Sequence, residues 1–180
     1  MEDARYSADA FRELYRHYLP RIYGYVAYRV GRAWEAEDLV SDIFVKVVES
    51  ISMFEYRGTG SFAAWIFRIA HNHLSHYYRQ RNDHLSLDDV PDLFSDNLAP
   101  DEVLIRKEQF IHLRGLLATL SPRRQEIITL KFFGGLRNQD IAAVLGLDER
   151  TVASHLCRGI EDLSRLYEQE ARRNASHERE

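Results

Sequence analysis

Asn138-Gln-Asp-Ile-Ala-Ala-Val-Leu-Gly-Leu-Asp-Glu-Arg-Thr-Val-Ala-Ser-His-Leu-Cys-Arg158 has the spacing of two short helices meeting at a tight turn. Ala142 is small enough for the helices to approach, Gly146 permits a left-handed turn, and Val152 packs the second helix onto the first. Ile141, Val144, Leu145, Leu147 and Leu156 supply apolar residues at the positions between. The spacing predicts a helix-turn-helix, and with it DNA as the partner.

The second helix is expected to start at the N-cap Asp148 and to turn Val152, Leu156, Ile160 and Leu163 inward at helical spacing. Arg150, Thr151, Ser154 and Arg158 then fall on the opposite face. A recognition helix presents that face to the major groove, where arginine reads guanine edges and hydroxyls reach bases or phosphates. A merely solvated polar face is the plain alternative. Upstream, Ser121-Pro122 reads as an N-cap followed by proline at the first helical position, opening a supporting helix through Phe133 that Gly134-Gly135 stops.

Around this motif lies a chain of 180 residues, 45% of them hydrophobic, enough for one medium or two small cores. No apolar run approaches the length that crosses a bilayer, and the N-terminus is polar, so membrane insertion and a signal peptide are not expected. The single cysteine, Cys157, excludes an internal disulfide, fits a reducing cytoplasm, and is expected to pack beside the apolar seam. A net charge of −4 looks wrong for a DNA-binding protein until it is divided. Residues 1–82 carry +1, residues 83–102 carry −7 and residues 103–180 carry +2. The negative segment has two prolines and no helical period, so it reads as an extended acidic linker between two helical units. It can serve as a solvated spacer; its Leu and Phe residues would also suit an acidic strand lying in a basic channel of a partner.

The unit before the linker reads as all-helical. Phe11, Leu14, Tyr15, Tyr18 and Ile22 form one stripe, with Pro20 expected to kink or end the first part of the helix. A second helix, from about Glu35 to Ser52, turns Leu39, Val40, Ile43, Val47 and Ile51 inward and carries Glu35, Asp38 and Asp42 on its other face. Paired carboxylates serve acid–base chemistry or bind metals, but no nucleophile or further ligand cluster accompanies them, so a partner-binding face is the better reading. After the turn Tyr56-Arg-Gly-Thr-Gly-Ser61 comes a long helix to Arg81, with Phe62, Ile66, Ile69, His73 and Tyr77 on a buried stripe. Arg68, Asn72, Ser75 and Arg79 share another stripe, and Phe67, His71 and Tyr78 also face away from that core. Exposed aromatic, amide and basic groups together suit single-stranded nucleic acid, since rings stack on unpaired bases and arginine holds phosphates. His71, His73 and His76 point too far apart on a helix to share one zinc ion.

In this order the parts resemble the sigma-70 family of bacterial RNA polymerase initiation factors, in the extracytoplasmic-function (ECF) group that has only the second and fourth sigma domains. The likeness spans about residues 8–168. Ala36-Glu-Asp-Leu-Val-Ser-Asp-Ile-Phe-Val-Lys-Val47 is similar to the helix that docks on the polymerase clamp, with Ser41 where Gln is usual and Asp42 where Glu is usual. Phe62-Ala-Ala-Trp-Ile-Phe-Arg-Ile-Ala-His-Asn72 is similar to the promoter-melting helix, and Tyr77-Tyr-Arg-Gln-Arg81 offers two arginines where the family commonly has a denser cluster. Leu120 to Leu136 resembles the entry to the fourth domain. In Thr151-Val-Ala-Ser-His-Leu-Cys-Arg-Gly159, Ala153 and His155 replace two cations of the usual recognition helix. Each lost phosphate contact removes roughly 0.9 from the log–log salt slope, so free promoter DNA should be held weakly. If His155 faces a phosphate, affinity should rise on acidification.

The resemblance implies an all-α fold of two small helical domains joined by the acidic linker: a second sigma domain at 1–82, a linker at 83–104, a fourth sigma domain at 105–168 and a polar tail at 169–180. It implies core RNA polymerase, promoter DNA and an anti-sigma factor as partners, a cytoplasmic location, no cofactor, no metal and no catalytic residue. Arg150, Thr151, Ser154, His155 and Arg158 would meet the −35 element. Arg68, His71, Asn72, Tyr78, Arg79 and Arg81 would meet the −10 element, and Glu35, Asp38, Ser41 and Asp42 would meet polymerase. Two other readings remain open: a stand-alone helix-turn-helix regulator, and a degenerate sigma-like protein that binds polymerase or an anti-sigma factor without initiating.

Overall fold

The computed structural model describes residues 8–80 and 100–177, and among these all regular structure is helical. Helix α1 is Ala8–Val30, α2 is Ala33–Ser50 followed by a 3-10 turn at Ile51–Met53, and α3 is Ser61–Gln80. After the acidic segment come α4 (Pro100–Ala118), α5 (Pro122–Phe132), α6 (Asn138–Leu145) and α7 (Glu149–His177). Most of the linker, and Arg81, lie outside the described residues.

Helices α1, α2 and α3 pack on one another through Ile22, Tyr25, Val26, Ile43, Val47, Phe62 and Ile66, all but fully buried. The expected inward stripe of α2 is buried along its whole length. Pro20 neither ends nor interrupts α1. It sits on the exposed face, where water can take up the carbonyl that its missing N–H leaves free. The segment read as linker through residue 104 is helical from Pro100, and proline at the start of a helix costs it no hydrogen bond.

Helices α5, α6 and α7 form the helix-turn-helix unit. Gly146 adopts φ 66° at the end of α6, and the Leu147 N–H reaches the Ala142 carbonyl at 3.0 Å. Ile141 and Val152 are fully buried between the helices. The seam of α7 runs through Val152, Leu156 and Gly159, not Ile160, which is 41% exposed. A Cβ at Gly159 would lie 2.6 Å from Ile128 Cδ1 and 3.6 Å from Arg124 Cβ, so α7 passes close to α5 at this residue.

The two units do not stand apart. Helix α3 lies against α6 and α1 against α5, and the buried apolar residues of both units form one continuous cluster. Tyr28 of α1 stacks on Phe133 with ring centroids 3.8 Å apart and meets Phe110 of α4 at 4.4 Å. Phe67, expected to face away from the core, is fully buried, with the Tyr25 ring of α1 at 5.7 Å on one side and Gly134 of the second unit beside it. A helical period records which residues share a face but not which unit will later cover that face.

Candidate nucleic-acid and polymerase interfaces

Asp148 caps α7 as expected. It accepts the Thr151 N–H at 2.8 Å and the Thr151 hydroxyl at 2.6 Å, and these bonds hold its carboxyl below the usual range. Thr151 is therefore committed to the helix start. Arg150, Ser154 and Arg158 are exposed along one side of α7, while His155 is half-buried. Cys157 is exposed as well, against expectation, because it falls beside Ser154 and Arg158 on the outer face. Its thiol lies 3.3 Å from Glu161, whose hydrogen bond and charge raise its titration and keep it protonated.

On α3 the expected nucleic-acid residues separate into two groups. Arg68, Asn72 and Arg79 are exposed along one stripe, with Arg79 donating to the Ser75 carbonyl at 3.2 Å. His71 and Tyr78 turn towards protein. The Tyr78 hydroxyl donates to the Arg29 carbonyl at 2.6 Å, and His71 Nδ1 lies 2.7 Å from Glu126 of α5. Burial works against the Glu126 carboxylate, but the His71 hydrogen bond and the charge of Arg29, 3.5 Å away, outweigh it and lower its titration. At the start of α3, Met53, Arg57, Trp65 and Arg68 line an open cleft of about 520 Å³. This cleft went unread in the sequence, although Arg57 in its glycine-bearing turn was a legible signal.

On α2, Asp38, Ser41 and Asp42 are exposed together, with Glu37, Val45 and Glu49 beside them. Glu35 is not part of this face. It is 4% exposed, accepts the Tyr77 hydroxyl at 2.8 Å and pairs with Arg32 at 3.1 Å. A carboxylate so enclosed ties α2 to α3 and offers little to a partner. Next to Ser41 an open apolar groove of about 740 Å³ runs between α1 and α2, lined by Phe11, Tyr15, Leu19, Phe44, Val45 and Val48 among others. Two features thus meet on this side of the molecule, an acidic helix face and an apolar groove.

The fold defines an all-helical protein that joins a three-helix unit to a helix-turn-helix unit. Models of Sigma-70 region 2 and Sigma-70 region 4 match residues 14–84 and 112–163. The chain is 31% identical over 167 residues to the ECF RNA polymerase sigma factor BldN of Streptomyces coelicolor, covering 92% of this chain and 63% of that one. It is 30% identical over 153 residues to the ECF RNA polymerase sigma factor RpoE of Cereibacter sphaeroides, covering 82% and 80%. The protein belongs to the ECF group of the sigma-70 family. Its fold is also that of the sigma factor RpoE from Bartonella quintana, solved with the anti-sigma factor NepR, at TM-score 0.71, 22% identity and coverage of 89% and 98%.

Proposed function

We propose that the protein is a specificity subunit that binds core RNA polymerase in the cytoplasm, selects a promoter and helps to open it. Bond chemistry belongs to the polymerase. The observation that carries this reading is that both family regions occur in one chain, each with polar side chains exposed on its helices. No helix among the described residues is long and apolar enough to cross a membrane.

In this reading Asp38, Ser41 and Asp42 of α2 dock on polymerase, and the apolar groove beside them widens the contact. Arg68, Asn72 and Arg79 of α3 hold the separated −10 strand, and the cleft beside Trp65 offers stacking and cationic groups to an unpaired base. Arg150, Ser154 and Arg158 of α7 read the −35 duplex. An anti-sigma factor would silence the protein by covering such faces. A stand-alone helix-turn-helix regulator would leave residues 14–84 without a task. The degenerate, non-initiating alternative rests on Ser41, Ala153 and His155, and transcription separates it from the main reading.

Core binding tests the first step. Asp38→Lys with Asp42→Lys should lower co-purification with core polymerase at least tenfold while leaving the helical content intact. Undiminished binding would remove the α2 face from the account.

A further inference from the structure

We infer that His73 of α3 is a positioning residue for the polymerase face: it holds the Asp42 carboxylate of α2 in the direction that a docking partner meets. This inference rests on the role proposed for that face, and it names a residue on another helix that sets the face's geometry.

His73 lies on the stripe of α3 that also carries Phe62, Ile66, Ile69 and Tyr77. An imidazole on such a stripe gives up hydration that an apolar side chain would not miss, and keeping it there takes a polar partner. The partner comes from α2. His73 Nε2 lies 3.6 Å from Asp42 Oδ2, and the His73 side chain is 18% exposed where that of Asp42 is 66% exposed. One end of the contact is sheltered in the seam between the helices, and the other stands in solvent.

A neighbouring contact fixes the register of that seam. The Tyr77 hydroxyl donates to the buried Glu35 carboxylate at 2.8 Å. Tyr77 is about one turn after His73 on α3, and Glu35 is about two turns before Asp42 on α2. The buried contact sets how the two helices lie, and the outer one uses that setting to aim a carboxylate.

The chemistry of the brace matters as much as its place. Burial lowers the titration of His73; Asp42 opposes this, while Lys46 of α2 and His76 of α3 add to it. The ring is uncharged at neutral pH, so its N–H orients the carboxylate without cancelling the charge that a partner's cations need. An arginine or lysine in its place would form an ion pair and compete with those cations. A carboxylate ordered before docking also spares the complex the entropy of fixing it. One methylene shorter than glutamate, Asp42 has less reach with which to find a partner unaided.

Affinity of the labelled full chain for purified core polymerase tests the inference. His73→Leu keeps the packing and removes the donor. At neutral pH it should raise Kd by about three- to tenfold, the range that freeing one ordered side chain implies, with helical content intact. His73→Gln, whose amide can replace the N–H, should restore most of the loss. In an Asp42→Ala background His73→Leu should have little further effect, because the carboxylate it positions is gone. An equal loss in both backgrounds would mean that His73 supports the helices and not the carboxylate, and would overturn the proposal, as would no loss in either.

Should His73→Leu itself lose helical content, the pH profile decides. Wild type should lose affinity as pH falls below the ordinary histidine value of about 6.5 and His73 takes up a proton, whereas His73→Gln should not. Parallel profiles would overturn the proposal. If Asp38→Lys with Asp42→Lys leaves core binding undiminished, the polymerase face falls and this inference falls with it; if that reversal weakens binding and the His73 variants do not, the inference alone falls.

Discussion

Glu126 shows how one carboxylate joins the two units. It is 8% exposed, faces His71 and Arg29 across the boundary and has Arg123 on its own helix. Because its titration is lowered on folding, it stabilises the folded chain above the ordinary carboxylate range, and that contribution is lost as pH falls through its lowered value. Glu126→Gln is expected to cost about 1–3 kcal/mol at pH 7, because the polar groups that face it stay partly buried. The gap from wild type should shrink as pH falls through that lowered value, where the wild-type carboxylate becomes protonated too. Urea unfolding between pH 7 and pH 3 measures both; a gap independent of pH would mean that Glu126 contributes through packing alone. Glu35 teaches a related lesson. In the sequence it sits three residues before Asp38 and seven before Asp42, as if on one acidic face, yet it is enclosed by Tyr77 and Arg32. A one-dimensional pattern cannot tell an exposed carboxylate from one whose partner arrives from another helix.

At the scale of the element, the helix-turn-helix was the most legible part of the chain. Ala142, Gly146 and Val152 each have a local steric task, and local tasks leave a trace in spacing. The error along α7 was a matter of phase. Reading Ile160 as inward follows from preferring an apolar residue to glycine, whereas Gly159 is the residue that faces Ile128. Gly159→Leu should therefore overpack the contact between α5 and α7 and cost about 1–3 kcal/mol in denaturant unfolding. A neutral result would show that α7 can shift outward without loss. Arg158→Ala removes an exposed cation from the same helix. It is expected to weaken −35 duplex binding by the holoenzyme and to flatten the log–log salt slope by about 0.9 if the lost contact is to phosphate. An unchanged footprint would show that this face does not meet DNA.

At the scale of the whole molecule, the sequence disclosed two helical units and a charge break between them, but not that they pack. Phe67 reads as an outward aromatic, and nothing in the sequence marks Arg21 or Arg114 as residues that join the units. Their partners are carbonyls, which every residue carries and which leave no trace in sequence. Likewise the −10 candidates could be gathered on one helix without revealing that His71 is engaged by the Glu126 carboxylate and Tyr78 by a carbonyl while Asn72 and Arg79 stay exposed.

The central claim is that this chain directs polymerase to promoters. Run-off transcription with purified core RNA polymerase on pooled fragments of the source genome, with and without the protein, tests it most directly. The account predicts discrete new start sites that share upstream sequences at the −35 and −10 positions. Firm binding to core with no new transcripts would contradict it and leave a sigma-like protein that does not initiate.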